Sequence, residues 1–206
     1  NTNLVEGFIQ HNTSDMALNG KYYTYDALER VTNIRTIIDG YTVYNESYTY
    51  VSDATTGNTS SLIAAHTVDG FVYSYTYDDV GNILTVSENG TLRYRYTYDK
   101  LGQLTSVNYY SDAYYSNRYY DTYEYLYNKS GNITSVGHHY GEYALYSDYK
   151  TYTYGNETWG DLLTNYNGTA ITYDAIGNPL KWRNAASFVW YGRQLLQFQG
   201  LEGSAI

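Results

Sequence analysis

The stretch SYTYDDVGNILTVSENGTLRYRYTYDKLGQLTSV, residues 74–107, states one phrase twice: Tyr-x-Tyr-Asp, two spacers, glycine, then Asn-Ile or Gln-Leu. A catalytic site needs its residues once. A phrase written repeatedly along a chain is a structural unit that stacks on copies of itself.

The phrase recurs as Tyr23-x-Tyr25-Asp26, Tyr75-x-Tyr77-Asp78, Tyr96-x-Tyr98-Asp99, Tyr125-x-Tyr127-Asn128 and Ile171-x-Tyr173-Asp174. Weaker copies, Tyr48-x-Tyr50 and Tyr152-x-Tyr154, fill the gaps between them. The second tyrosines stand 25, 27, 21, 29, 27 and 19 residues apart, so length varies in the loops while the phrase keeps its register. Alternation such as Tyr94-x-Tyr96-x-Tyr98 or Tyr123-x-Tyr125-x-Tyr127 places the rings on one face of a strand.

Asp-x-x-Gly reads as a turn. The aspartate accepts downstream backbone N–H groups, and glycine supplies the left-handed residue that closes a hairpin. Asp78 with Gly81, Asp99 with Gly102, Asn128 with Gly131 and Asp174 with Gly177 fit this reading. In the first copy Asp26 is followed by Glu29 in the glycine's place, so that turn is expected to be strained or differently built. Asp39-Gly40, Asp69-Gly70, Asn89-Gly90 and Asn167-Gly168 are two-residue hairpin signals that close the opposite end. The two turn types alternate, which predicts an all-β antiparallel meander without helix. One detail resists this scheme: Ile83 and Val86, Leu104 and Val107, and Ile133 and Val136 sit three apart. Either both sheet faces are partly covered or a bulge shifts the phase.

Composition agrees with a sheet. Tyrosine occurs 31 times against four phenylalanines and three tryptophans, a balance suited to broad, half-wet faces. One proline, 18 glycines and a hydrophobic share of 43% fit tight turns and exclude outright disorder. A net charge of −9 argues against nucleic acid. Cysteine is absent, so no disulfide or thiolate site exists. No apolar run approaches a membrane helix, and no membrane insertion is expected. No signal peptide is apparent, and Asn1 stands where an initiator methionine would, which leads to the expectation of a processed or excised segment.

At Tyr-x-Tyr-Asp-x-x-Gly-[Asn/Gln]-[Ile/Leu] the chain resembles the RHS/YD-repeat family of bacterial polymorphic toxins, insecticidal toxin complex cocoon subunits and teneurins. ITYDAIGNPLKW, residues 171–182, is especially similar to bacterial members. The resemblance implies a spiralling antiparallel sheet, part of a β-shell or an open solenoid or tube, and a secreted or surface-displayed bacterial protein. It also implies a possible link to carbohydrate. Seven repeats are too few to close the usual shell, and the family's core, with its self-cleaving aspartates, has no match here. Neither cleavage nor toxicity is therefore carried to any residue. The expected organisation is an unclear segment at 1–20, one repeat array over 21–200 and a tail at 201–206.

The sharper chemical readings are weak. The repeated aspartates sit before turn glycines, where turn chemistry explains them. His138 and His139 are adjacent on a strand and point to opposite faces, so no metal is expected, nor any cofactor or catalysis. Eight Asn-x-Ser/Thr sequons, at Asn12, Asn45, Asn58, Asn89, Asn128, Asn132, Asn156 and Asn167, read as coincidence in a chain rich in these residues. Rows formed by Tyr75 and Tyr77, by Tyr94, Tyr96 and Tyr98, and by Tyr123, Tyr125 and Tyr127 are candidates for sugar stacking, or for cross-strand stabilisation alone. About fourteen strands would leave two open edges that invite flanking repeats or identical copies. The apolar run Ser187–Tyr191 does little to protect one of them.

Overall fold

A computed structural model describes residues 4–11, 13–14, 16–53, 55–110, 121–140, 146–155, 159–182 and 186–200. Asn12, Asn156 and the tail at 201–206 lie outside the described residues. The strands are β1 Gly7–His11, β2 Ala17–Tyr25, β3 Val31–Ile38, β4 Tyr41–Ser52, β5 Thr59–Val68, β6 Phe71–Tyr77, β7 Ile83–Glu88 and β8 Thr91–Tyr98. They continue as β9 Leu104–Tyr109, β10 Asp121–Tyr127, β11 Ile133–Tyr140, β12 Tyr146–Tyr154, β13 Leu163–Tyr166 and β14 Thr169–Ala170, then β15 Lys181–Trp182, β16 Ala186–Tyr191 and β17 Gln194–Gly200. No helix occurs among the described residues.

Strands β1 to β14 form one sheet in strict sequence order, and β15 to β17 form a second. The pairings of β1 with β2, β2 with β3, β3 with β4, β6 with β7, β10 with β11, β12 with β13 and β16 with β17 are antiparallel. The fold is thus an all-β meander whose main sheet is not closed into a barrel. The span 21–200, expected as one repeat array, contributes strands to both sheets. Six repeat hairpins, β2–β3 through β12–β13, are flanked by β1 and β14, and the seventh phrase makes a bridge, Tyr173 to Pro179. The segment 1–20 contributes β1 and the start of β2.

The chain divides into two compact units. One comprises Asn1–Thr97 with Asn108–Tyr119, and the other Tyr98–Val107 with Tyr120–Ile206. Within each, burial is slight. Among the described residues only Tyr110, Thr122, Gly137, Ile171 and Asn178 are buried, and no large side chain is fully enclosed. The accessible surface is 14433 Å², against about 9,800 Å² for an ordinary globular chain of this mass. Stability therefore rests on strand-to-strand contacts and turns, not on a dry core.

Both turn types are formed as their residues dictate. Asp39, Asp69, Asn89 and Asn167 have φ of 49, 47, 49 and 47°, each followed by a glycine at positive φ, which is the type I′ hairpin turn. Gly81, Gly102, Gly131 and Gly177 have φ of 94, 76, 86 and 85°. Glu29 adopts the same left-handed conformation, φ 64°, with Glu29 N–H donating to the Asp26 carbonyl at 3.0 Å as Gly81 does to Asp78 at 3.1 Å. Of the two expectations for this turn, strain holds and a different construction does not.

Candidate functional site: the tyrosine face

Each Asp-x-x-Gly turn is organised by one carboxylate. Asp78 Oδ1 accepts the Val80 and Asn82 N–H groups at 3.1 and 2.8 Å, while Oδ2 accepts the Asn82 amide at 2.9 Å. Asp174 repeats this with Ile176 and Asn178, and Asp26 with Leu28 and Arg30, whose guanidinium supplies the Oδ2 partner at 2.7 Å. The Arg30 side chain, foremost, holds the Asp26 carboxyl below its ordinary range. The Asn82 amide does the same for Asp78, and the Asn178 N–H for Asp174. Asp99 accepts Leu101 and Gln103 N–H groups at 2.8 and 2.9 Å. Asn128 has one acceptor oxygen, used for Ser130 and Asn132 N–H, so the Asn132 amide turns to Asp161 at 2.7 Å. The repeated carboxylates are thereby committed to their own turns, through backbone N–H groups and the side chains of Arg30, Asn82 and Asn178.

The register explains the three-residue spacing of the apolar positions. Tyr77 lies opposite Ile83, Thr76 opposite Thr85 and Tyr75 opposite Val86, leaving Leu84 as an extra residue. This bulge rotates the strand by one residue, so Ile83 and Val86 face the same side as Tyr77 and Tyr75. Thr32, Ala64, Thr134 and Thr164 are the corresponding extra residues in four other hairpins. Of the two alternatives the sequence left open, the bulge is the one realised.

One face consequently carries the tyrosines and aliphatics, and the other carries threonine, serine and asparagine. On the polar face Thr24 and Thr32 hydroxyls meet at 2.9 Å, Thr76 and Thr85 at 2.6 Å, and Asn33 donates to Asn45 at 3.1 Å. On the aromatic face the second tyrosine of a repeat reaches back to the preceding one. Tyr50 O–H donates to the Val31 carbonyl at 2.7 Å, Tyr77 to Ile63 at 2.7 Å, Tyr127 to Leu104 at 2.8 Å and Tyr173 to Leu163 at 2.6 Å. Tyr25 likewise donates to Val5 at 2.8 Å. Val31, Leu104 and Leu163 open their return strands, while Ile63 lies within β5, two residues before its pairs with β6 start at Ala65. The hydroxyl substitutes for an absent strand N–H, satisfying a carbonyl that sheet pairing leaves over. Phenylalanine cannot do this, which accounts for tyrosine at these five positions. Burial raises the phenols of Tyr77, Tyr127 and Tyr173 above their ordinary pKa.

The candidate sugar-stacking rows lie on this same face, since Tyr75 is opposite Val86, Val86 opposite Tyr94, and Tyr123, Tyr125 and Tyr127 opposite His138, Val136 and Ile133. Period two adds Tyr96 and Tyr98 to the side of Tyr94. Tyr94 and Tyr123 are the most open of them, 38% and 36% exposed, and the others are half-buried. Tyr94 packs against Tyr109, centroids 5.4 Å apart, beside a Glu88–Arg93 ion pair of 2.8 Å. With Tyr73 these groups line a groove of about 300 Å³.

Sequence reasoning missed two polar clusters on the aromatic face. Glu46 is in contact with His66 and accepts the Tyr44 hydroxyl at 2.9 Å, while His66 stacks on Tyr48 at 4.9 Å. Burial acts to raise the Glu46 carboxyl, but hydrogen bonds from Tyr48, Tyr44 and His66 prevail and hold it low. His138 stacks between Tyr123 and Tyr140, centroids 4.0 and 3.8 Å, with Asp121 at 3.3 Å. His139 lies on the polar face, paired with Ser147 and Thr122. The cross-strand pairing of each histidine with tyrosine or serine was the one usable signal, and it requires the register. No group of three or more metal-ligating side chains occurs among the described residues.

The arrangement defines a class, a repeat sheet in which tyrosine hydroxyls at Tyr25, Tyr50, Tyr77, Tyr127 and Tyr173 stitch a repeat to the segment before it. Residues 77–109 match the family model of the RHS repeat, so the chain carries an RHS repeat, as the motif resemblance indicated. No curated protein matches it. The fold is similar to that in the crystal structure of TcdB2-TccC3-TEV, with TM-score 0.62 at 16% identity over 97% of this chain. It is also similar to TcdB2-TccC3, with TM-score 0.54 at 15% identity over 97% of this chain. The chain spans only 11% and 13% of those two solved chains.

Proposed function

We propose that this chain is a structural scaffold, a wall segment of an RHS-type shell belonging to a larger secreted or surface-displayed bacterial protein. The observation that carries the reading is a 14-stranded sheet in sequence order with almost no buried core. Such a sheet suits a wall built by adding repeats, each needing only its neighbours. The small share of the similar solved chains that it spans supports a place within something longer.

The edges favour a partner of the same kind. All seven residues of β17 are exposed, β1 carries exposed Phe8 and Ile9, and unpaired edge strands are templates for further pairing. Flanking repeats, or identical copies stacking edge to edge into a fibre or tube, are the occupants of these edges. Light scattering across a concentration series tests this: mass should grow with concentration for the isolated chain. A concentration-independent monomer of 23.6 kDa with a sharp melt would overturn it. Glycan adhesion is the alternative use of the aromatic face, at Tyr94 and Tyr123. It requires sugar binding that Tyr94→Ala removes while the fold persists.

A further inference from the structure

On the polar face, away from the tyrosine ladder, three adjacent strands bring Glu124, His139 and Ser147 into one hydrogen-bonded line. His139 Nδ1 lies 2.9 Å from Ser147 Oγ, and His139 Nε2 lies 3.1 Å from Glu124 Oε2. The register places the three: His139 is directly opposite Thr122 on β10 and Ser147 on β12, while Glu124 is opposite Gly137. Gly137 has a local reason to lack a side chain. A Cβ there would sit 2.9 Å from the Tyr149 ring, the same ring whose edge braces His139 at 5.5 Å and 84°. The imidazole is therefore held on one side by an aromatic ring and at both nitrogens by polar partners.

The partners also fix the tautomer. An ionised Glu124 can only accept, so Nε2 carries the proton of the neutral ring. Nδ1 is then the lone-pair nitrogen, and the Ser147 hydroxyl donates to it. A hydroxyl within hydrogen-bond reach of a base that a third group orients is the arrangement of an activated nucleophile, recognised by geometry and not by sequence order. The His139 side chain is only 15% exposed, while Ser147 faces solvent. β12 pairs with β11 from Tyr146 to Thr151, but its pairing with β13 begins only at Tyr152, so among the described residues no strand ladder runs beside Ser147 on the side of β12 away from β11.

We infer that Ser147 is an acyl-accepting nucleophile, activated by His139, with Glu124 as the positioning residue, and that its substrates are small activated carboxylic esters reaching the open polar face. In the forward step Ser147 Oγ bonds to the ester carbonyl carbon while its proton passes to His139 Nδ1. The resulting imidazolium is stabilised by Glu124 through Nε2–H. The tetrahedral adduct expels the alkoxide, which takes the proton from Nδ1 and leaves as alcohol, giving acyl-Ser147. Water, deprotonated by His139, then cleaves the acyl group as a carboxylic acid and restores the hydroxyl. No oxidant or metal enters the balance. This activity is separate from the wall role, and either can fail without the other.

The test uses a fluorescent fluorophosphonate on the intact chain, followed by peptide mass spectrometry. Ser147 should be labelled in the folded protein and not after denaturation. His139→Ala and, as a second variant, His139→Gln should each reduce the labelling rate at least tenfold with an unchanged circular dichroism spectrum. Glu124 is 56% exposed, so Glu124→Gln should leave the melt unchanged yet slow labelling several-fold, and Glu124→Asp should recover part of the rate. p-Nitrophenyl acetate should acetylate the same residue. A folded parent that stays unlabelled at Ser147, or labelling of equal rate in the folded histidine variants, overturns the proposal.

Discussion

Replacing Tyr77 by phenylalanine removes one oxygen and nothing else from the aromatic face, so it isolates the hydroxyl contact between repeats. The hydrogen bond to the Ile63 carbonyl is 2.7 Å long, and both residues are half-buried. A net contribution of about 0.5–1.5 kcal/mol is ordinary for such a bond, and leaving the carbonyl unpaired adds about 1–3 kcal/mol where water cannot reach it. Phenylalanine regains a little by needing no desolvation of a hydroxyl. Partial solvent access at this open sheet places the total near 1.5 kcal/mol. At about 2–4 °C per kcal/mol for a chain of this size, the melting temperature should fall by about 3–6 °C. Tyr127→Phe, whose hydroxyl bonds Leu104 at 2.8 Å in a different repeat, should show a similar loss. The two losses should add, because distant sites act independently. Tyr41→Phe is the control, since that ring is 76% exposed and surface changes stay within about 0.5 kcal/mol. Thermal melts followed by circular dichroism would measure all of these. If Tyr77→Phe and Tyr127→Phe melt with the control, or higher, the hydroxyls do not hold the repeats together.

Other outcomes follow from the turns and the phenols. Glu29→Gly should raise stability by about 1 kcal/mol, because φ of 64° disfavours a side chain by about that amount; an unchanged urea midpoint would contradict it. Gly177→Ala should destabilise far more than Gly90→Ala in the same assay. Both glycines have positive φ, but an added Cβ at 177 would lie 2.1 Å from the Trp159 ring while the space at 90 is open. Alkaline unfolding should be steep. Burial raises the phenols of Tyr77, Tyr125, Tyr127, Tyr154 and Tyr173 in the fold. Their contribution is complete below the unfolded value near pH 10 and is lost as pH climbs through the folded values. A pH titration monitored by tyrosinate absorbance should therefore show ionisation and loss of sheet together.

The fold was legible because turn residues and strand period are local. Asp78 and Gly81 announce their hairpin within four residues, and Asn89-Gly90 announces the next. What the chain hides is phase. Leu84 looks like any strand residue, and only the pairing of Thr76 with Thr85 reveals it as the one left over. The same blindness concealed the hydroxyl contacts, which join residues 10 to 23 positions apart, as in Tyr173 to Leu163 and Tyr127 to Leu104. A hint was present in the preference for tyrosine over phenylalanine at the second phrase position. The last phrase departs for another reason. Ile171-Thr172-Tyr173 carries the phrase, but Pro179 stands on its return side and lacks the N–H a ladder needs, so a single bridge forms there.

The hydroxyl contacts all point the same way along the chain: a later tyrosine closes an earlier carbonyl. That gives the array an arrow of time. A repeat leaving the ribosome has its carbonyl but not its last bond until the following tyrosine emerges, 10 to 23 residues later. Each newborn repeat waits for its successor. Erosion from the two ends is correspondingly unequal: trimming the front frees a phenol that water readily serves, whereas trimming the back strips a carbonyl of its donor at the rim of the sheet. Such a chain is sealed from front to back and comes undone most easily from the back.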